Sequence, residues 1–195
     1  MSKNNVNLPN NYIFIPFQVH DDSQIILNSP CIQDMEKLVN VVSEQLNIHN
    51  SKNNTDLYAV FKEHPADIGR VDYKKLYQKY KNNEKMIFLT DGDTDTILDK
   101  SKAIITVNST VGIEGLQKYK PVIVLGNAYY DIDQITYSCK NFDQLNEIIH
   151  QALKGKLNRR LITQFLYYLR FTYQLEGNWR NGEFNYVQFL KKLKS

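Results

Sequence analysis

The run Ala103-Ile-Ile-Thr-Val-Asn-Ser-Thr-Val-Gly-Ile-Glu-Gly115 packs a strand, a turn and a helix start into a single stretch of chain. Ala103–Val107 is apolar and β-branched, as a strand buried on both faces must be. Two hydroxyl residues follow, then a helix that ends near Tyr119, and Pro121–Leu125 predicts the next strand. The same alternation extends in both directions. Upstream, Tyr12–Val19, Leu57–Phe61 and Met86–Leu89 predict strands. Between them lie predicted helices from Ser29 to about Ile48, over Val71–Tyr80 and over Thr94–Lys100. Ser29 is the expected N-cap of the first, with Pro30 as its first residue. Downstream, Ile135–Ser138 predicts a short sixth strand, and Asn141–Lys154 a helix that Gly155 ends. Strands joined by helices run parallel with right-handed crossovers. The expected fold is therefore a doubly wound, mostly parallel α/β sheet of Rossmann type.

Residues 158–195 leave this rhythm. Leu166-Tyr-Tyr-Leu-Arg-Phe-Thr-Tyr173 and Trp179 belong to an aromatic and Arg-rich stretch, read as helices over about 159–175 and 182–193. The expected organisation is a loose N-terminus (1–11), a Rossmann-like domain (12–157) and a C-terminal helical extension (158–195).

Composition narrows the function. The chain has 195 residues, 42% apolar and 23% charged, which suits a folded domain and not a disordered one. A net charge of +3 supplies no strong field for a polyanion, so nucleic acid is not an expected partner. The longest apolar runs are strand-length, which argues against a transmembrane helix, and the first residues lack the apolar core of a signal peptide. The expectation is a cytoplasmic protein with Cys31 and Cys139 as free thiols.

Such sheets bind ligands beyond the carboxyl ends of their strands. Four groups of residues fall there. After the fourth strand, Asn108-Ser109-Thr110-Val111-Gly112-Ile113-Glu114 offers hydroxyls, backbone N–H groups and a helix start to an anion. Gly112 is expected to let a ligand approach the backbone. Glu114, about 6 Å further along the axis from Thr110 at 1.5 Å per residue, suits ribose hydroxyls and not a phosphate. The plainer alternative is a capped helix. After the second strand, Lys62-Glu-His64-Pro65 places two cationic side chains, with Pro65 holding His64 extended; the alternative is a surface turn. After the first, Gln18-Val-His-Asp-Asp22 could furnish a base or stabilise positive charge; the alternative is a solvated loop. After the third, Asp91-Gly-Asp-Thr-Asp95 suggests a cation site, but helix capping by Asp93 or Thr94 explains it more simply.

In this order the elements resemble the bacterial capsule polysaccharide biosynthesis glycosyltransferases of the Kdo-transferase group. The likeness rests on Pro16-Phe-Gln-Val-His-Asp-Asp-Ser-Gln-Ile25, Lys62-Glu-His-Pro65, Val107-Asn-Ser-Thr-Val-Gly-Ile-Glu-Gly-Leu116, Lys120-Pro-Val-Ile-Val-Leu-Gly126 and Glu176-Gly-Asn-Trp179. It covers most of residues 12–180 and extends only to the C-terminal, nucleotide-binding half of the two-domain GT-B fold. The resemblance implies a CMP-sugar donor, with CMP-Kdo first, and a glycolipid or polysaccharide acceptor. It also implies an N-terminal half-domain as partner, no metal and no separate cofactor, and leaves room for peripheral membrane association. Ser109, Thr110 and the helix start, with Asn108 and Gly112, would hold the CMP phosphate; His64 and Lys62 would stabilise its departure. Glu114 would bind the ribose, Gln18 would position the sugar, and Asp22 and His64 would be catalytic. Two alternatives stay open: a non-catalytic assembly module, and another nucleotide-sugar enzyme of GT-B shape such as an epimerase.

Overall fold

The structure, a computed structural model, describes residues 7–22, 29, 32–175, 177–178 and 182–192. The chain divides into two compact units, Met1–Leu157 and Asn158–Ser195.

The first unit is built on six strands: β1 (Tyr12–Pro16), β2 (Tyr58–Lys62), β3 (Met86–Leu89), β4 (Ala103–Thr106), β5 (Val122–Val124) and β6 (Tyr137–Ser138). Their order across the sheet is β3-β2-β1-β4-β5-β6, and every pairing is parallel. The chain therefore leaves β1 in one direction to build β2 and β3, then returns to β1's other edge for β4. The carboxyl ends of β1 and β4 meet at this reversal, which is where a doubly wound sheet opens a crevice.

Alternation along the strands assigns side chains to two faces. Ile13, Ile15, Ala59, Phe61, Ile105 and Ile123 join one apolar cluster with Leu38, Val42 and Leu46 of α1 (Met35–Asn53), Leu76 of α2 (Lys74–Tyr80), and Leu145 and Ile149 of α5 (Leu145–Lys154). On the other face Tyr12 donates its hydroxyl to the Ile97 carbonyl of α3 (Thr94–Lys100) at 2.5 Å. On that face too α4 (Val111–Gln117) lies so close that a Cβ on Gly115 would meet Ile104 and Val122. Both faces are covered, which is why the strands read as continuous apolar runs.

Several boundaries differ from the sequence expectation. β1 stops at Pro16: Phe17 still gives its N–H to the Lys62 carbonyl, but the chain then turns, Asp22 N–H to Val19 carbonyl. α1 starts at Met35, with Asp34 as its N-cap accepting the Lys37 N–H at 2.7 Å. Ser29 instead bonds locally to the Ile32 N–H, and Pro30 lies outside the described residues. The helix runs on to Asn53, five residues past the expected end, and stops at Asn54, whose left-handed backbone (φ 50°) suits asparagine. α2 begins three residues late, at Lys74. A 3-10 turn, Phe142–Gln144, precedes α5.

In the second unit α6 (Arg159–Tyr167) passes into a π-helical segment, Tyr168–Tyr173. A short antiparallel pair, β7 (Gly177–Asn178) with β8 (Glu183–Phe184), precedes α7 (Tyr186–Lys192); sequence periodicity gave no sign of it. Trp179 and Cys31 lie outside the described residues, while Cys139 is a free, buried thiol. Among the described residues no helix is long and apolar enough to cross a membrane.

Candidate functional site

A cleft of about 250 Å³ opens at the β1–β4 reversal. Its walls come from three strand ends: Phe14, Pro16 and Phe17 from β1, Lys62–Pro65 from β2, and Ser109, Thr110, Val111 and Glu114 after β4. Thr94, at the start of α3, completes the lining. Five residues singled out from sequence, Lys62, His64, Ser109, Thr110 and Glu114, thus share one cleft.

The β2 corner is shaped by Pro65. His64 is extended (φ −73°, ψ 132°), as the residue before a proline must be, and it caps the 3-10 turn Pro65–Asp67. Its Nδ1 accepts the Ala66 N–H at 3.1 Å. A nitrogen that accepts carries no proton, so neutral His64 keeps its hydrogen on Nε2 and is a donor without being charged. Lys62 is buried, and desolvation pulls its pKa below the ordinary 10.5, with the Asp91 and Asp93 carboxylates pulling the other way. Glu63, also buried, accepts the Tyr77 hydroxyl.

The β4 corner is braced from within. Gln18 and Asn108 grip each other: Gln18 Nε2–H donates to Asn108 Oδ1 at 2.8 Å, and the Asn108 N–H donates to Gln18 Oε1 at 3.1 Å. Ser109 N–H is taken by Thr106 Oγ1, and Val111 N–H by Ser109 Oγ. The Tyr130 hydroxyl donates to the Ser109 carbonyl. Thr110 is left with the one amide in 108–114 that has no acceptor among the described residues, and its side chain is exposed. The anion donors at this corner are therefore fewer than a bare helix start suggests: the Thr110 amide and the two hydroxyls.

Three expectations change here. Gly112 does not line the cleft: a Cβ on it would stand 2.5 Å from the Tyr130 hydroxyl, so its missing side chain makes room for that ring and not for a ligand. Gln18 and Asn108 are buried and engaged with each other, outside the lining. Asp22 is half-buried, also outside the lining, and accepts from Gln18 Nε2 at 3.4 Å. Glu114 is on the lining, and desolvation followed by the Asp95 carboxylate raises its pKa above 4.5, against Lys118. Asp93 caps α3 by accepting the Thr96 N–H, as expected, and Lys118 pairs with Asp95 and Asp99.

Sequence reasoning gave no role to His20, Asp67 or Tyr130, and saw Thr94 only as a possible helix cap. Asp67 is 1% exposed, and only three dimensions reveal what it holds. His49, given no role from sequence, is a core residue: its ring is buried, with Nδ1 3.2 Å from the Asn146 carbonyl.

Known proteins are similar to this chain. Protein FixF of Sinorhizobium fredii is 30% identical over 175 residues, which are 89% of this chain and 40% of FixF. The capsule polysaccharide export protein KpsS of Escherichia coli is 35% identical over 134 residues, 67% of this chain and 33% of KpsS. The chain thus spans less than half the length of these relatives. Among solved structures, the beta Kdo 2,7 transferase of Thermosulfurimonas dismutans KpsC superposes with a TM-score of 0.54 at 19% identity, covering 97% of this chain and 57% of that one. The UDP-GlcNAc 2-epimerase of Methanocaldococcus jannaschii gives 0.54 at 16%, covering 84% and 48%. At such identities they share the fold, the Rossmann-like half of a GT-B architecture. The family described as capsule polysaccharide biosynthesis protein matches residues 1–179, and this chain belongs to it.

Proposed function

We propose that the chain is the nucleotide-sugar-binding half of a capsule polysaccharide glycosyltransferase, taking Kdo or a related acidic sugar from its CMP conjugate. The supporting observation is the convergence of Lys62, His64, Ser109, Thr110 and Glu114 on one cleft at the sheet's reversal point. The first four offer an ammonium, an Nε2–H, two hydroxyls and an amide to a phosphate. These are fixed dipoles and a charge at the place where negative charge develops as the phosphate departs. The reading asks for no metal or cofactor. Glu114, a carboxylate set apart from the phosphate donors, takes the ribose hydroxyls.

Asp22 faces the sugar side and stabilises the positive charge that builds at the anomeric carbon. Gln18 acts through its partners: it holds Asn108 on one side and Asp22 on the other. The acceptor, a glycolipid or polysaccharide, docks against a second half-domain from a longer polypeptide or a partner chain, at the inner face of the membrane in the cytoplasm. The lengths of the relatives support the need for that half.

A ligand that binds only the folded state raises the melting temperature. CMP is expected to do so for the intact chain, and Ser109→Ala with His64→Ala to abolish the shift. Retention of the full shift in the double variant would remove the phosphate assignment. A second reading, an assembly module without transfer activity, is favoured by the braced β4 corner, where Gln18, Thr106 and Ser109 already take three of the amides. It predicts no CMP-induced shift at all.

A further inference from the structure

We propose that the C-terminal unit carries a docking surface for a membrane of anionic lipids, with Tyr167 and Phe171 seated among the headgroups and Arg160 and Arg170 against their phosphates. It rests on the transferase reading above only in setting the acceptor at a membrane. The chain's net charge of +3 conceals an uneven split: residues 158–195 hold seven Lys or Arg and two Glu, a net +5, and residues 1–157 a net −2. The second unit therefore carries a positive field that the chain as a whole lacks.

Helix α6 and the π-helical segment after it have two apolar sides. Ile162 and Leu169, seven residues apart, are buried and form the inward stripe. Tyr167 and Phe171 form a second stripe, their ring centroids 4.7 Å apart, and they are 64% and 62% exposed. Tyr168 and Tyr173 beside them are exposed as well. A helix packed on one side ordinarily presents charged or polar residues on the other. Rings that touch each other in solvent make a patch, and a patch marks a surface that meets a partner.

The charges say which partner. No Asp or Glu lies between Asn158 and Leu175, and Arg159, Arg160 and Arg170 are exposed. Arg160 and Arg170 enter no ion pair among the described residues. The core of a protein interface is poor in charge, and arginines there would each need a carboxylate set opposite. A fluid layer of phosphodiesters answers cations wherever they fall. A tyrosine ring with its hydroxyl in water suits the boundary between headgroup and acyl chain. On α7 the pattern recurs: Val187 and Leu190 are exposed, and the exposed Lys191 follows them. Lys192 Nζ donates to the Tyr173 carbonyl at 2.7 Å and the Gln174 carbonyl at 3.0 Å, which ties α7 to the end of the π-helical segment. At nine and six residues, α6 and that segment are together too short to span a bilayer, so their rings sit in the headgroup layer.

The test is cosedimentation of the full chain with vesicles of phosphatidylcholine and phosphatidylglycerol, beside vesicles of phosphatidylcholine alone. The chain is expected to pellet with the first and not the second, and to be released at about 1 M salt, where the screening length is about 3 Å. Arg160→Gln with Arg170→Gln is expected to weaken binding at least about tenfold. Tyr167→Ser with Phe171→Ser is expected to do the same through lost apolar area. All four residues are exposed, and both variants are expected to keep the wild-type urea midpoint. Equal binding to both kinds of vesicle, or binding that either variant leaves unchanged, overturns the proposal. So does a wild-type dimer in sedimentation velocity that Tyr167→Ser with Phe171→Ser dissociates, since the rings then meet protein and not lipid. A chain that CMP stabilises but that stays in the supernatant loses the docking surface and keeps the phosphate site. One that pellets with the anionic vesicles but is not stabilised by CMP keeps the surface and loses the transferase reading.

Discussion

The two corners that wall the cleft use their polar groups in opposite ways. After β4, Asn108 N–H, Ser109 N–H and Val111 N–H are all satisfied by Gln18, Thr106 and Ser109, and the Ser109 carbonyl by Tyr130. After β2, the Lys62 ammonium and the Nε2–H of His64 stay on the lining, and one backbone bond to His64 Nδ1 fixes the ring. One corner spends its hydrogen bonds on its own shape, and the other is shaped by a proline and keeps its donors for a ligand. Substitutions at the first should therefore cost stability, and at the second binding.

The sharpest way to break this contrast is Gly112→Ala. Its Cβ would press on the Tyr130 ring, with three ring or hydroxyl atoms at 2.5–2.6 Å. The expected loss is about 3 kcal/mol, the upper end for overpacking, read from urea unfolding. A loss below about 0.5 kcal/mol would show that Tyr130 is not locked. Next comes Gln18→Ala, which takes the Gln18 amide away from the buried Asn108 N–H and Oδ1. About 2 kcal/mol should go in the same unfolding measurement.

At the other corner His64→Ala deletes one cap bond, about 1 kcal/mol of stability. Its CMP affinity should fall at least tenfold by calorimetry, a binding loss of about 1.4 kcal/mol. If stability falls by as much as in Gln18→Ala while binding holds, the division between the corners fails.

The smallest effects concern charge. Lys62 is held below its ordinary 10.5 by desolvation, so in the pH range between its folded and unfolded values the unfolded chain binds more protons, and stability rises with pH. Lys62→Met should be more stable than wild type at pH 7, by a margin that shrinks toward pH 10.5, and should bind CMP more weakly. Glu114 is held above 4.5, so its contribution runs the other way: stability falls as pH climbs from 4.5 through the raised value. Glu114→Gln should remove that fall in melting temperature between acidic and neutral pH. A parallel pH–stability curve in either variant would show that the cleft does not desolvate the group.

The sheet was legible from sequence because both faces are covered, leaving strands such as Ala103–Thr106 as uninterrupted apolar runs. The cleft was legible because strand ends in such a fold converge, and Pro65 and the Ser109-Thr110 pair are local signals. Other features had no local signal. Asn108 meets Gln18 ninety residues away, and His20 meets Asp67 across 47, so no window of sequence contains either pair. Gly112 misled because a glycine records that space is needed without recording for whom. Ser29-Pro30 misled because a good cap residue was outcompeted by Asp34, nearer the apolar stripe of α1.

The most direct measurement of the central claim is an amide and imidazole NMR titration of the intact chain with CMP. Saturable shifts should centre on the Thr110 amide, the Ser109 amide and the His64 ring, and should vanish in His64→Ala with Ser109→Ala. Saturable shifts centred instead on the crevice lined by His49 and His150, or none at millimolar CMP, would contradict a phosphate site between the ends of β2 and β4.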